Sequence, residues 1–439
     1  LKAVRDRVGE DQLIMMRVSG SERMEGGFTD ADITEFLSIA QQYVDLAEIS
    51  CEGFTDNMAS TYRPLGLNVE FADHIKNSGK VHIPIFSVGS ILYPEQAEEI
   101  IASGKADGVS MSRALIADPY FPEKSLLGRD DEVTPCLRCL NCTDGDNADR
   151  HFVCSVNPLI GREARLGFGE DIGKARFRKR VLVAGGGPAG IEAAVTAARR
   201  GHEVILCEKT GSLGGALKFT DTDSLKADLH RYKEFIVREA RRAGIKILLH
   251  TEVTKELADS LNPTDIIVAT GAKPVVPAIP GIEKACHAAE VYSREDLAKD
   301  EVVIIGGGLI GVETALHLVN TGKKVTVLER EAEIIRDARG LYRFGVFRKA
   351  QELGLTVITG AVCKEITDTG VVYEKDGASV TLPCDTVLYA VGMASDRKLY
   401  FDLAGSGEKT ALAGDARKVG KVSGAVHDGF FAAMDVGKI

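Results

Sequence analysis

The stretch Val181-Leu182-Val183-Ala184-Gly185-Gly186-Gly187-Pro188-Ala189-Gly190 decides how the larger part of this chain folds. The four apolar residues predict a buried strand, the glycines a tight turn, and the small residues over 191–200 a helix. A second strand over 204–206 leads to Glu208. G-x-G-x-x-G between strand and helix, with an acid after the next strand, is the fingerprint of a dinucleotide-binding Rossmann module. Gly185, Gly187 and Gly190 let the backbone approach a pyrophosphate, with Pro188 and Ala189 in the same binding turn, and the N-terminus of the helix that follows stabilises it. Glu208 accepts from a ribose hydroxyl. The pattern then recurs: a strand over 302–305, Gly306-Gly307-Gly308-Leu309-Ile310-Gly311, a helix, and a strand over 325–328 ending at Glu329. The step from first glycine to acid is the same in both copies, so two dinucleotides are expected. Gly306, Gly308, Leu309, Ile310, Gly311 and Glu329 are the second set of binding residues.

Ahead of the first fingerprint stand Cys136, Cys139, Cys142 and Cys154, spaced C-x2-C-x2-C-x11-C. Three thiolates at every third position with a distant fourth suit a [4Fe-4S] cubane, whose irons each take one cysteine. A structural zinc also closes on four cysteines, although its ligands usually come as two separated C-x2-C knuckles. Cys51, Cys207, Cys286, Cys363 and Cys384 are scattered, which argues against a disulfide scaffold and for a reducing compartment, most simply the cytoplasm. No C-x4-C redox pair accompanies the first fingerprint, so a disulfide is not the exit for electrons.

With 439 residues, 44% hydrophobic and 27% charged, the chain has room for two or three globular domains. A net charge of −10 without a basic, aromatic-laced patch predicts no nucleic-acid partner. No apolar run reaches the length of a membrane span, so no membrane partner is expected. A homo-oligomer is a candidate assembly.

The first third alternates apolar runs with amphipathic helices. Strands are expected over 14–18, 46–50, 83–88 and 109–112, and helices from a Thr29/Asp32 capping box to about Val44, over 70–76 and over 94–103. Such βα units predict parallel strands with right-handed crossovers. They form either a small open sheet or half of an eight-stranded barrel. Gly89, Ser90, Ser112 and Arg113 follow the third and fourth strands, where barrels commonly hold a phosphate. The plain alternative makes Gly89 a turn residue and Arg113 a surface charge. Arg17, at the carboxyl end of the first strand, falls on the same face.

Met16-Arg17-Val18-Ser19-Gly20, Ser87-Val88-Gly89-Ser90 and Met111-Ser112-Arg113-Ala114-Leu115-Ile116-Ala117-Asp118-Pro119 resemble the second half of an Old Yellow Enzyme-type FMN barrel. With the cysteines and Cys154-Ser155-Val156-Asn157-Pro158, the whole chain resembles the 2,4-dienoyl-CoA reductase/trimethylamine dehydrogenase family. The resemblance implies that Arg17 sits by the N1/C2 carbonyl edge of FMN, that Gly89, Ser90 and Arg113 hold its phosphate, and that Ser112 belongs to the same FMN site. Ile266-Ile267-Val268-Ala269-Thr270-Gly271 and Leu412-Ala413-Gly414-Asp415-Ala416 resemble the additional FAD contacts of two-dinucleotide flavoproteins. The first fingerprint therefore takes FAD, with Gly214, Gly215, Gly271 and Asp415, and the second takes nicotinamide. A helix from about Val422 aims its positive end at the flavin. Glu329 favours NAD over NADP, against which Arg330 counts.

Family members begin with four further βα units, so the chain reads as a fragment, and the main catalytic acid is expected in the missing half. Tyr62 and Asp56 are substitute candidates in the loop after the second strand. The expected architecture is α/β: the C-terminal half of an FMN-binding (β/α)8 TIM barrel over 1–130, an iron–sulfur segment over 131–178, an FAD module over 179–289 plus 394–439, and an NAD(P) module over 290–393. The expected flow is NADH to FAD, to [4Fe-4S], to FMN, to the activated C=C of a small unsaturated substrate (an enoyl-CoA, enoate or enone). An amine dehydrogenase running outward, and an electron-transfer module without organic substrate, are the alternatives.

Overall fold

A computed structural model describes residues 1–51, 60–143, 152–167, 172–338, 340–403 and 409–438. The chain divides into two compact units, Leu1–Leu140 and Asn141–Ile439.

In the first unit, α1 (Lys2–Val8) precedes β1 (Met15–Ser19), α2 (Asp30–Ala40), β2 (Leu46–Ser50), α3 (Val69–Lys76), β3 (Ile85–Val88), α4 (Pro94–Ala102) and β4 (Gly108–Ser110). Short helices α5 (Arg113–Ala117) and α6 (Phe121–Leu126) come next. The four strands pair in parallel in chain order, as a four-unit part of a (β/α)8 barrel. Thr29 and Asp32 form the capping box that opens α2. That helix stops at Ala40 rather than near Val44. The chain leaves the helix through a turn in which the Tyr43 N–H reaches the Ala40 carbonyl at 2.9 Å, while the Gln41 side chain donates to the Lys80 carbonyl at 2.9 Å and accepts the His82 N–H at 2.8 Å. β4 also ends earlier than the pattern suggested. The Ser112 carbonyl already accepts the Ile116 N–H at 3.0 Å, so Ser112 flanks α5 instead of closing the strand.

Alternation along the strands sorts the two faces of this sheet. Ala47, Ile49 and Ile85 are fully buried against Leu37 of α2 and Ile75 of α3. Glu48 and Ser50 point to the opposite face.

In the second unit, α7 (Glu163–Leu166) precedes β5 (Arg180–Ala184), α8 (Pro188–Arg199), β6 (Glu203–Cys207), α9 (Ala227–Arg242), β7 (Lys246–Leu248), α10 (Lys255–Leu261), β8 (Asp265–Val268) and β9 (Ala272–Pro274). An inserted module carries β10 (Cys286–His287), β11 (Glu301–Ile305), α11 (Leu309–Asn320), β12 (Lys324–Leu328), α12 (Gly340–Glu352), β13 (Thr356–Ile358), β14 (Val362–Thr367), β15 (Gly370–Lys375), β16 (Ala378–Pro383) and β17 (Thr386–Tyr389). The chain returns through β18 (Met393–Ser395) and ends with α13 (Lys398–Asp402), β19 (Lys409–Leu412) and α14 (Val422–Asp435). Two parallel sheets result, ordered β19-β8-β5-β6-β7 and β10-β17-β11-β12-β13, beside the antiparallel β14-β15-β16. The second sheet therefore takes its first strand from ahead of residue 290. Exit and return strands β9 and β18 pair antiparallel, so the two crossings between modules are hydrogen-bonded to each other. No helix among the described residues is long and apolar enough to cross a membrane.

Candidate functional sites

Both fingerprints adopt the same strand–turn–helix geometry. A Cβ on Gly190 would lie 1.9 Å from the Gly185 carbonyl oxygen, and one on Gly311 would lie 2.0 Å from that of Gly306. Only glycine lets each helix start this close to its strand. α8 begins at Pro188, ahead of the expected position, because proline's fixed φ suits the first helical turn. Ala189 and Ile310 lie in the opening turns of their helices. Gly187 and Gly308 flank α8 and α11 in extended conformation, with no side chain of their own to cap the opening N–H groups.

The acids do more than their spacing revealed. Glu208 accepts the Gly186 N–H at 2.8 Å through one oxygen, and the Thr210 N–H and hydroxyl at 2.8 and 2.7 Å through the other. Burial by itself would raise its pKa, but those donors and the Lys218 charge hold the carboxyl below its usual value. Glu329 repeats the arrangement, accepting from Gly307 N at 2.6 Å and Glu331 N at 2.8 Å. Each acid thus braces the middle glycine of its own fingerprint. Arg330, next in the chain after Glu329, has its Nε 3.3 Å from Glu331 Oε1.

Around the first fingerprint, Gly214 donates to the Gly186 carbonyl at 2.8 Å. A Cβ on Gly215 would stand 2.6 Å from the Gly187 Cα. Gly271, at φ 82, accepts the Asp396 N–H at 3.0 Å. Asp415 is half-buried and accepts the Gly420 N–H at 2.9 Å; burial raises its pKa against that hydrogen bond. α14 lies against α8, with Gly429 so near the Ala189 carbonyl that a Cβ would approach to 2.2 Å. From α14, His427 Nε2 donates to the Cys154 carbonyl at 2.8 Å, and Ser423 Oγ meets Asn141 Nδ2 at 3.3 Å.

Cys136 and Cys139 belong to the first unit, and Cys142 and Cys154 to the second. Cys136 and Cys154 are buried; Cys139 and Cys142 are partly so. The Arg138 N–H points at Cys136 Sγ, 3.5 Å away. Arg138 and Leu140 both take positive φ, 47 and 59, which coils the chain between the cysteines. The Arg138 side chain, missed in the sequence, donates to the carbonyls of Ser60 and Arg63 at 3.1 and 2.5 Å. Thr61 Oγ1 donates to the Arg138 carbonyl at 2.7 Å. The cysteine segment therefore clamps the loop after β2, in which Tyr62 is half-buried at φ 64. Asp56 lies outside the described residues.

On the open face of the first sheet, Arg17 pairs with buried Glu48 at 2.8 Å and donates to Ser50 Oγ at 2.9 Å. It occupies the middle of β1 rather than its carboxyl end. After β3, Gly89 takes φ 131, and a Cβ there would meet Asn68 Nδ2 at 2.6 Å. Asn68, directly before α3, donates to the Val88 carbonyl at 2.7 Å. A helix-flanking asparagine was its only sequence signal. Ser90 Oγ and Asn68 Oδ1 are buried and meet no hydrogen-bond partner among the described residues. Arg113 donates to Ser60 Oγ, while the Gly66 N–H is 3.2 Å from the Ser90 carbonyl. The loop after β2 thus holds both the Arg113 and the Ser90 segments, and Ser112 is exposed beside them.

Residues 1–132 match the NADH:flavin oxidoreductase / NADH oxidase family, and 179–418 match pyridine nucleotide-disulphide oxidoreductases. An NADH oxidase of Thermoanaerobacter brockii is 36% identical over 451 residues, covering 99% of this chain and 68% of the relative. The chain belongs to the NADH:flavin oxidoreductases. A cinnamate reductase of Clostridium sporogenes is 30% identical, over 99% of this chain and 68% of that protein. A solved structure of 2-naphthoyl-CoA reductase with 2-naphthoyl-CoA, 31% identical, superposes with a TM-score of 0.93 over 99% of this chain and 67% of that one. The chain thus spans about two thirds of the length of these relatives. It is an oxidoreductase with flavin- and NAD-binding domains.

Proposed function

We propose that this oxidoreductase is the NADH-driven part of an ene-reductase acting on an activated C=C in an enoyl-CoA, enoate or enone. The bound groups supply the redox chemistry: hydride from NADH to FAD, single electrons through a [4Fe-4S] cluster, and hydride from FMN to the substrate. Support for the two dinucleotide sites comes from the paired close approaches at Gly190 and Gly311 and from the match of residues 179–418 to pyridine nucleotide-disulphide oxidoreductases. Glu208 would hold the FAD ribose, Asp415 its linking chain, and Glu329 the NADH ribose. Arg330 is turned to Glu331, which favours NADH over NADPH. For the cluster, the donor chemistry of four thiols at C-x2-C-x2-C-x11-C spacing and the N–H directed at Cys136 Sγ both fit.

The observation that carries the FMN assignment is the orphaned, buried Ser90 hydroxyl beside Gly89 at φ 131. Such a hydroxyl costs free energy unless something accepts from it, and a phosphate oxygen would. Arg113 would add its charge to that phosphate, and Arg17, braced by Glu48, would face the flavin ring. Gly89→Ala is accordingly expected to lower FMN content severalfold, with FAD content unchanged. Equal content of both flavins in wild type and variant would count against this phosphate site.

The function itself is tested with anaerobically purified protein and a panel of enoates, enoyl-CoAs and enones. Saturated product, one NADH consumed per product, and iron with acid-labile sulfide in the protein are expected. Amine oxidation with reduction of NAD, or stoichiometric zinc without iron, would point to a different enzyme.

A further inference from the structure

The two fingerprints differ in the segment on the far side of the acid. Six residues past Glu208 stands Gly214, whose N–H donates to the Gly186 carbonyl at 2.8 Å with φ 114. Six residues past Glu329 stands Ile335, whose N–H donates to the Gly307 carbonyl at 2.7 Å. Ile335 is fully buried and sits at φ 56, a conformation that β-branched residues rarely adopt. The segment leading to it is tied down, since Arg343 donates to Glu333 Oε2 at 2.7 Å and to the Ile334 carbonyl at 3.0 Å. Two residues further on, the modules part. The first has Ala216; the second has Asp337, whose two carboxylate oxygens lie 3.0 and 3.1 Å from the Leu309 N–H.

Leu309 opens α11, so its N–H is among the donors that a fingerprint helix presents to a pyrophosphate. A carboxylate there is favoured by the same helix dipole, and it repels an incoming diphosphate. Granting that the second module binds NADH, we infer that Asp337 is a resident anion on that module's pyrophosphate seat, which the dinucleotide must displace. Asp337 thereby sets the second site to weak, exchangeable binding. The first module, with Ala216, keeps its dinucleotide as a prosthetic group. The difference suits a substrate in one module and a retained cofactor in the other.

Titration calorimetry on FAD-loaded protein tests this with ADP-ribose, which carries the pyrophosphate, and adenosine, which does not. Asp337→Ala should tighten ADP-ribose about tenfold, the scale of a helix-terminal charge interaction. Asp337→Asn should tighten it less, because its amide oxygen still reaches Leu309 N. Adenosine affinity and FAD content should not change. Unchanged or weaker ADP-ribose binding in Asp337→Ala, or an equal gain for adenosine, overturns the role of Asp337 alone. A wild-type protein that retains FAD and binds no ADP-ribose overturns the NADH assignment of the second module, and the inference with it.

Discussion

Replacing Cys139 by alanine should abolish NADH-driven reduction of the organic substrate while sparing NADH oxidation by an artificial acceptor that takes electrons directly from FAD. The expectation comes from the layout of the chain. The first fingerprint has no partnering cysteine pair, so electrons leaving FAD have only the proposed cluster as an evident route to the barrel part. Cys139 is one of four thiols in the set, and a cubane held by three ligands is poorly retained. Iron and sulfide content should fall together with the coupled activity. Cluster loss can also loosen the surrounding chain, because metal binding contributes folding free energy. Arg138 makes that a specific concern, since it ties the cysteine segment to Ser60 and Arg63 in the loop after β2. Retained FMN and FAD content is therefore the control. With both flavins present and substrate reduction continuing at the wild-type rate, the linear relay would be wrong.

A second pair of variants should separate the two dinucleotide modules. In Gly311→Ala the new methyl would be placed 2.0 Å from the Gly306 carbonyl oxygen, and in Gly190→Ala 1.9 Å from that of Gly185. Each contact is with backbone, so relief requires moving a helix start away from its strand. Overpacking of this kind costs about 1–3 kcal/mol, or roughly five- to 150-fold in affinity if it falls on the bound state. Gly311→Ala should thus weaken NADH by that factor and keep its FAD. Gly190→Ala should lose FAD first, because α8 also packs against α14 at Ala189 and Gly429. Flavin content by absorbance and NADH affinity by stopped-flow flavin reduction provide the two readouts. Loss of the same dinucleotide in both variants would show that the modules do not act separately.

Much of this was legible because it is local. A glycine that must let a helix start on a strand is dictated by backbone stereochemistry within a few residues, and the pattern announces itself twice. The Thr29/Asp32 capping box and the proline opening α8 are equally short-range. The cysteine spacing declares a thiolate donor set for the same reason. Helix ends were less legible: where α2 stops, the Gln41 side chain meets Lys80 and His82, partners that no local rule names.

By itself, then, the sequence determined the βα repeats, both fingerprints with their acids, and the thiol set, all through interactions that span a turn or two of chain. Tertiary structure decided what those parts face. The pairing of Arg17 with Glu48 depends on the register between β1 and β2. Asn68 reaches the Val88 carbonyl only because α3 returns beside β3. Asp337 meets Leu309 across a loop anchored by a buried, left-handed isoleucine. Contacts of this kind rest on loop paths and strand pairing between residues distant in the chain. Side-chain type and spacing carry no record of them, and the packed fold alone brings the groups within hydrogen-bond range.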